Sequence, residues 1–161
     1  MGHTLKLKLS EFRHNFNKLS EQNKIQAFMK KPSKQRLFEG ESFISIVDTA
    51  AIVIGIVLRD ELISTDILLT PASTSPGTER NKLLLKQFLQ CCSPKGAEIA
   101  DGLNLEQLDL SSTELDAYFE IDDYIFKLAQ RNQQIVLGCF NKNNPGAEGL
   151  KSKQYSAFLP D

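Results

Sequence analysis

Residues 43–58 read Phe-Ile-Ser-Ile-Val-Asp-Thr-Ala-Ala-Ile-Val-Ile-Gly-Ile-Val-Leu. Asp48 and Thr49 interrupt the run, and the part from Ala51 to Leu58 is apolar at both even and odd positions. A membrane helix needs about 20 uninterrupted apolar residues, so this stretch is too short and too polar to be one. A strand with one wet face alternates between apolar and polar residues, and this one does not. The reading is a central strand with apolar material on both sides. It predicts that Ile52, Ile54 and Ile56 on one parity, and Val53 and Val57 on the other, all lose most of their exposure in the working assembly.

The flanking sequence extends that strand into a meander. Ser42–Val47 precedes it across Asp48-Thr49, and Leu62–Thr70 follows it across the polar turn Arg59-Asp60-Glu61. Short turns between successive strands imply antiparallel pairing. Arg36–Phe38, with Gly40 as a turn, is a candidate for a further strand. Before the meander, Ser10 is positioned to cap a helix whose apolar face is Phe12, Phe16 and Leu19. Ile25 and Phe28 are out of phase with that face, so the helix is expected to bend or restart near Ser20, with Pro32 marking its exit. After the meander, Thr70–Gly77 is loop by composition. Thr78 reads as an N-cap for a helix carrying Leu84, Leu85, Phe88, Leu89 and Cys92 on one stripe, with Lys82, Lys86 and Gln90 opposite; Ser93-Pro94 ends it.

A short helical piece is expected over Lys95–Asp101, then an acidic, leucine-spaced connection over Leu103–Leu115. Ala117–Ile121, Tyr124–Gln130 and Gln134–Phe140 make a second meander, with turns at Asp122-Asp123 and Arg131-Asn132. The fold class is therefore α+β, an antiparallel sheet of about six strands with helices on one face, in the order α-βββ-α-βββ. Residues 1–140 form one domain, and 141–161 form a C-terminal extension, flexible or lying on the surface.

The chain of 161 residues has a net charge of −1, so no global attraction to nucleic acid or to a membrane surface is implied. The charge is nonetheless uneven. Residues 1–40 carry +6 and residues 41–161 carry −7, and Glu98–Asp123 holds nine acids and no base. Such runs are usually solvated faces, and the basic segment lacks the interleaved aromatics of a nucleic-acid binder. Cys91, Cys92 and Cys139 are odd in number and have no Cys-x-x-Cys spacing, so they read as core residues of a reducing compartment rather than a disulfide framework or a zinc site.

The two histidines, His3 and His14, have no local nucleophile or metal-ligand pattern around them. A pairing of His14 with Cys139 is conceivable only through the fold. Asp122-Asp123 is an ordinary turn pair, and the phosphate-loop, zincin and nucleophile-elbow motifs are absent. The expectation is no catalytic residue, no cofactor and no metal. The N-terminus lacks the apolar core of a secretory signal, which points to the cytoplasm, or to the periplasm or envelope if a signal peptide once preceded it.

The order of elements, from the helix at Ser10 through the strands of Ser42–Thr70 and the helix at Thr78 to the strands near Tyr124 and Ile135, resembles that of class I chaperones of type III secretion. That resemblance implies a dimer that holds an unfolded protein segment. The extra strand at Ala117 and the acidic insert depart from the pattern. The spacing of Glu11-Phe12, the Leu62–Pro71 strand and loop, the Leu83–Pro94 helix and the Tyr118–Phe140 meander is similar to that of small bacterial envelope proteins and lipoproteins, including helix-plus-meander inhibitors.

The function expected is that of a non-enzymatic, protein-binding bacterial protein: a secretion chaperone, an inhibitor or immunity-type partner, or an envelope accessory protein. The alternative is a small-ligand binder or motif-poor enzyme with a cavity between sheet and helices. The final strand, like Ala51–Leu58, is apolar on both parities, and helices on one side of the sheet cover only one of them. The residues assigned to a protein-binding or homodimer face are accordingly Ile52, Ile54, Ile56, Ile135 and Leu137. The other parity is to be covered by the C-terminal extension, a second subunit or a partner.

Overall fold

Seven antiparallel strands form one sheet in a computed structural model that describes residues 3–144. The strands are β1 (Ser33–Arg36), β2 (Glu41–Asp48), β3 (Ala51–Leu58), β4 (Glu61–Leu69), β5 (Asp116–Ile121), β6 (Tyr124–Arg131) and β7 (Gln134–Asn141). The helices are α1 (Leu9–Gln22), α2 (Ser75–Cys92) and α3 (Gly96–Gly102), and a single 3-10 turn covers Leu105–Gln107. The expected α+β class and antiparallel sheet are observed. The sheet order is β1-β2-β3-β4-β7-β6-β5, so two meanders meet where β4 pairs with β7.

The strand count exceeds the expectation by one. β1 lies over Ser33–Arg36, just after Pro32, and Leu37–Gly40 closes the hairpin to β2, with Leu37 N–H donating to Gly40 O at 3.0 Å. Proline at the start of an edge strand removes no ladder hydrogen bond, which is why Pro32 opens a strand instead of a turn. The β3–β4 and β6–β7 turns are two residues long, Arg59-Asp60 and Asn132-Gln133, each with both central residues at positive φ. That geometry matches the twist of a two-residue hairpin.

Helix ends also differ from expectation. α2 begins at Ser75, and Thr74 rather than Thr78 caps it, its Oγ1 accepting from Gly77 N at 3.2 Å. Pro76 sits in the first turn, where a missing N–H costs nothing. α1 begins at Leu9, and Ser10 spends its hydroxyl on Asp60 at 2.7 Å instead of on the helix end. α1 stops at Gln22, and residues 27–30 return along it: Asn17 accepts from Met29 N at 2.7 Å, and Arg13 Nε donates to Met29 O at 2.9 Å.

The main core lies between the helices and the odd-numbered residues of β2 and β3. Phe12, Phe16, Phe88, Phe43, Val53, Val57, Ile67, Ile135 and Leu137 are buried in it. Phe12 and Phe88 meet edge to face at 5.6 Å between centroids, a geometry worth about 0.5–1.5 kcal/mol beyond the area buried. The acidic connection after α3 is tied down by its leucines, since Leu103, Leu105, Leu110 and Leu115 all enter this core. The N-terminal segment joins the sheet as well. Leu5 N–H donates to Leu62 O and Leu62 N–H to Leu7 O, both at 2.8 Å. Of the expected C-terminal extension, residues 145–161 lie outside the described residues.

Candidate protein-binding face of the sheet

The register places every side chain of the second face in rows that cross the sheet. One row runs Ile46, Ile52, Leu68, Val136, Ala129 and Asp116. The next runs Ile44, Ile54, Asp66, Gly138, Lys127 and Tyr118, and a third runs Ser42, Ile56, Ser64, Phe140, Ile125 and Glu120. A smaller hydrophobic cluster forms here from Ile54, Leu68, Ile125 and Val136, with Ile52, Tyr118 and Phe140 packed against it. Among the described residues, its members all belong to strands.

The two ends of this face differ. On β2, Ile44 and Ile46 are about half exposed, at 50% and 51%. Beside them β1 is exposed along its whole length, and Phe38 at the tip of the β1–β2 hairpin is fully exposed. On β6 and β7, Ile125 and Val136 are at 0% and 1%. Lys127 is buried in the same region, and its Nζ donates to the Asp116 carboxylate, which takes the ammonium out of water with a counter-charge attached. Ile52 and Ile56 are half-buried and Ile54 is buried.

The sequence-assigned residues therefore divide. Ile52, Ile54 and Ile56 share the second face. Ile135 and Leu137 do not: both are fully buried in the main core beneath the helices, and their neighbours Val136 and Phe140 take the opposite face. The parity of β7 relative to β3 is set by the register Ile67 to Leu137 and Val53 to Ile67, which only the folded sheet supplies. The expected loss of exposure is met at Val53, Val57 and Ile54, whereas Ile52 and Ile56 keep part of theirs.

Ile44 and Ile46 were missed in the sequence. Their signal was the same two-parity apolar pattern, since Phe43 and Val47 flank them on the other parity, but Ser45 masked it. Ser45 is buried on the helix side and satisfied by donating to Lys30 O at 2.5 Å.

The chemistry of other groups is committed elsewhere. Cys139 and Cys92 lie side by side in the core. Burial pushes the Cys92 thiol well up, with the hydrogen bond to Cys139 adding to the rise. Burial alone raises Cys91 to about 12. The Cys91 and Cys92 thiols stay protonated and non-nucleophilic near neutral pH. His14 is exposed on α1, apart from buried Cys139, and lines a groove of about 480 Å³ with Leu9, Arg13, Asn17, Lys31 and Asp60. Arg13, Asn17 and Asp60 already hold backbone or Ser10 there. Among the described residues, no group of three or more His, Cys, Asp or Glu gathers where a metal could bind, and no helix is long and apolar enough to cross a membrane.

Comparison with protein-family models, curated proteins and solved structures gives no match.

Proposed function

We propose that the protein is a non-enzymatic protein-binding protein of bacterial type, and that it engages its partner through the β1–β2 margin of the open sheet face. The observation that carries this reading is the half-exposure of Ile44 and Ile46, adjacent on one strand and flanked by Ile52. Branched aliphatic side chains in a row on a sheet are a costly surface to leave in water, at about 25 cal/mol per Å². β1 adds a terminal strand, and an extended segment can join such an edge through backbone hydrogen bonds while its alternate side chains reach the isoleucines. Secretion chaperoning of an unfolded segment, with a dimeric chaperone, fits that surface; so does an inhibitor-type partner. The free, buried thiols fit a reducing compartment such as the cytoplasm.

A cavity-based enzyme or ligand binder draws less support. The space between sheet and helices is occupied by Phe12, Phe16, Phe43 and Phe88, and its buried polar groups, such as Gln87 and Ser20, bond to each other.

The test compares the full chain with Ile46→Asp by light scattering after size exclusion, and by co-purification from the native host. The substitution is expected to dissolve any dimer or remove the co-purifying protein while leaving thermal unfolding within a few degrees. Retention of the same partner and the same mass with Asp at 46 would refute the reading.

A further inference from the structure

The two edges of the sheet are finished differently. The large apolar side chains that stand exposed among the described residues are Phe28, Leu37, Phe38, Ile44 and Ile46, and all of them fall within residues 28–46, at the β1 margin. At the β5 margin Tyr118, Phe119 and Ile121 are half-buried. Charge is sorted as well. From residue 22 to residue 38 the chain carries Lys24, Lys30, Lys31, Lys34 and Arg36 and no acid. Lys30 is committed, its Nζ donating to Val47 O at 3.0 Å. Lys31, Lys34 and Arg36 are exposed, and among the described residues none of them is in an ion pair.

The register puts the two properties on opposite sides of β1. Ser33 and Gln35 pair with Ile44 and Ser42 and so share the open face, whereas Lys34 and Arg36 pair with Phe43 and Glu41 and so share the helix side. A strand added beside β1 meets the same alternation. A side chain opposite Ser33 has a short neighbour, with Ile44 immediately behind it. Side chains opposite Lys34 and Arg36 meet cations.

We propose that the segment taken up at this margin is an extended strand of another protein, alternating branched aliphatic and acidic residues, that pairs with the outer edge of β1. Its aliphatic residues stand opposite Ser33 and Gln35, and its carboxylates opposite Lys34 and Arg36. The inference rests on the reading of Ile44 and Ile46 as a contact surface, and it names the chemistry of what binds there. A second copy of the chain is a poorer occupant, because pairing β1 with β1 sets lysine and arginine against like charges. A membrane surface is poorer too. Glu39 and Glu41 bracket the hairpin tip beside Phe38, so an anionic surface would meet carboxylates there, and the outer backbone groups of β1 find no hydrogen-bond partners in lipid.

The test is selection of a displayed library of random peptides about ten residues long, the upper length of an ordinary strand, on the immobilised full chain and in parallel on Ile44→Asp. The peptides enriched on the full chain are expected to alternate aliphatic and acidic residues and to be lost on Ile44→Asp. A synthetic peptide of enriched sequence is expected to bind Lys34→Glu with Arg36→Glu about tenfold or more weakly, and the corresponding glutamine pair less weakly. Methylating its backbone nitrogens at alternate residues is expected to abolish binding at one parity only, as strand addition requires. Enriched peptides that are neutral or basic, or that bind the charge-reversed chain as tightly, overturn the acidic partner while the Ile44 and Ile46 surface stands. Equal enrichment on Ile44→Asp removes that surface itself. No enrichment, sedimentation with phosphatidylglycerol vesicles that depends on Lys34, or a dimer in light scattering that the peptide does not dissolve would each overturn the proposal.

Discussion

The ring of Phe43 lies over Gly55, its cross-strand partner on the helix side of the sheet. A Cβ at position 55 would come within 2.7 Å of the Phe43 ring and would also collide with the backbone oxygen of Ser64. The glycine makes room for an aromatic that is 1% exposed, in a strand that is otherwise branched from Ile52 to Leu58. Gly55→Ala is therefore expected to destabilise the fold by about 1–3 kcal/mol, the usual cost of overpacking against groups that cannot retreat. Chemical denaturation monitored by dichroism checks this, and a change below about 0.5 kcal/mol would show that the ring swings aside.

Gln87 connects two helices through side chains alone. Its Nε2 donates to Ser20 Oγ at 3.0 Å, its Oε1 accepts from Asn23 Nδ2 at 2.8 Å, and Ser20 Oγ in turn donates to Ala27 O at 2.5 Å. Gln87→Leu keeps the volume and strips the polar partners, so a loss of about 1–3 kcal/mol is expected. Thermal unfolding should fall by several degrees, at about 2–4 °C per kcal/mol for a chain of this size.

The buried thiols set an alkaline limit. Cys91 is raised by burial from 9.0 to about 12, so between those pH values the unfolded chain gives up this proton while the folded chain keeps it. The unfolded state then binds fewer protons, and stability falls as pH rises through that window. Cys91→Ala should flatten the fall between pH 9 and 12, measured by unfolding across that range. The native protein should also react slowly with a thiol reagent at pH 8, all three cysteines becoming reactive only on denaturation.

Gln133 occupies the second central position of the β6–β7 turn at φ 62°, where its Cβ is crowded and glycine is not. Gln133→Gly is expected to be neutral or to stabilise by up to about 1 kcal/mol, whereas Gln133→Val should destabilise. The pair of unfolding midpoints decides it, and equal midpoints would show that the turn relaxes around any residue.

Much of the fold is local enough to be written in the sequence. The two-parity apolar run of Ala51–Leu58 marks a strand with apolar neighbours on both sides, and that is where β3 sits, third in the order. The leucine and phenylalanine stripe of residues 84–92 marks α2, and the dipeptides near 60, 122 and 132 mark the turns, because helical and strand periods and turn chemistry act over a few residues. Pairing acts over the whole chain. Whether Ile135 or Val136 faces the helices depends on the register of β7 against β4, and a shift of one residue would exchange them. The sequence by itself determined that β3 and β7 are apolar on both faces. The tertiary structure alone decided that Ile135 and Leu137 are core and that Ile44 and Ile46 stand in water, because burial is a property of which side the helices take.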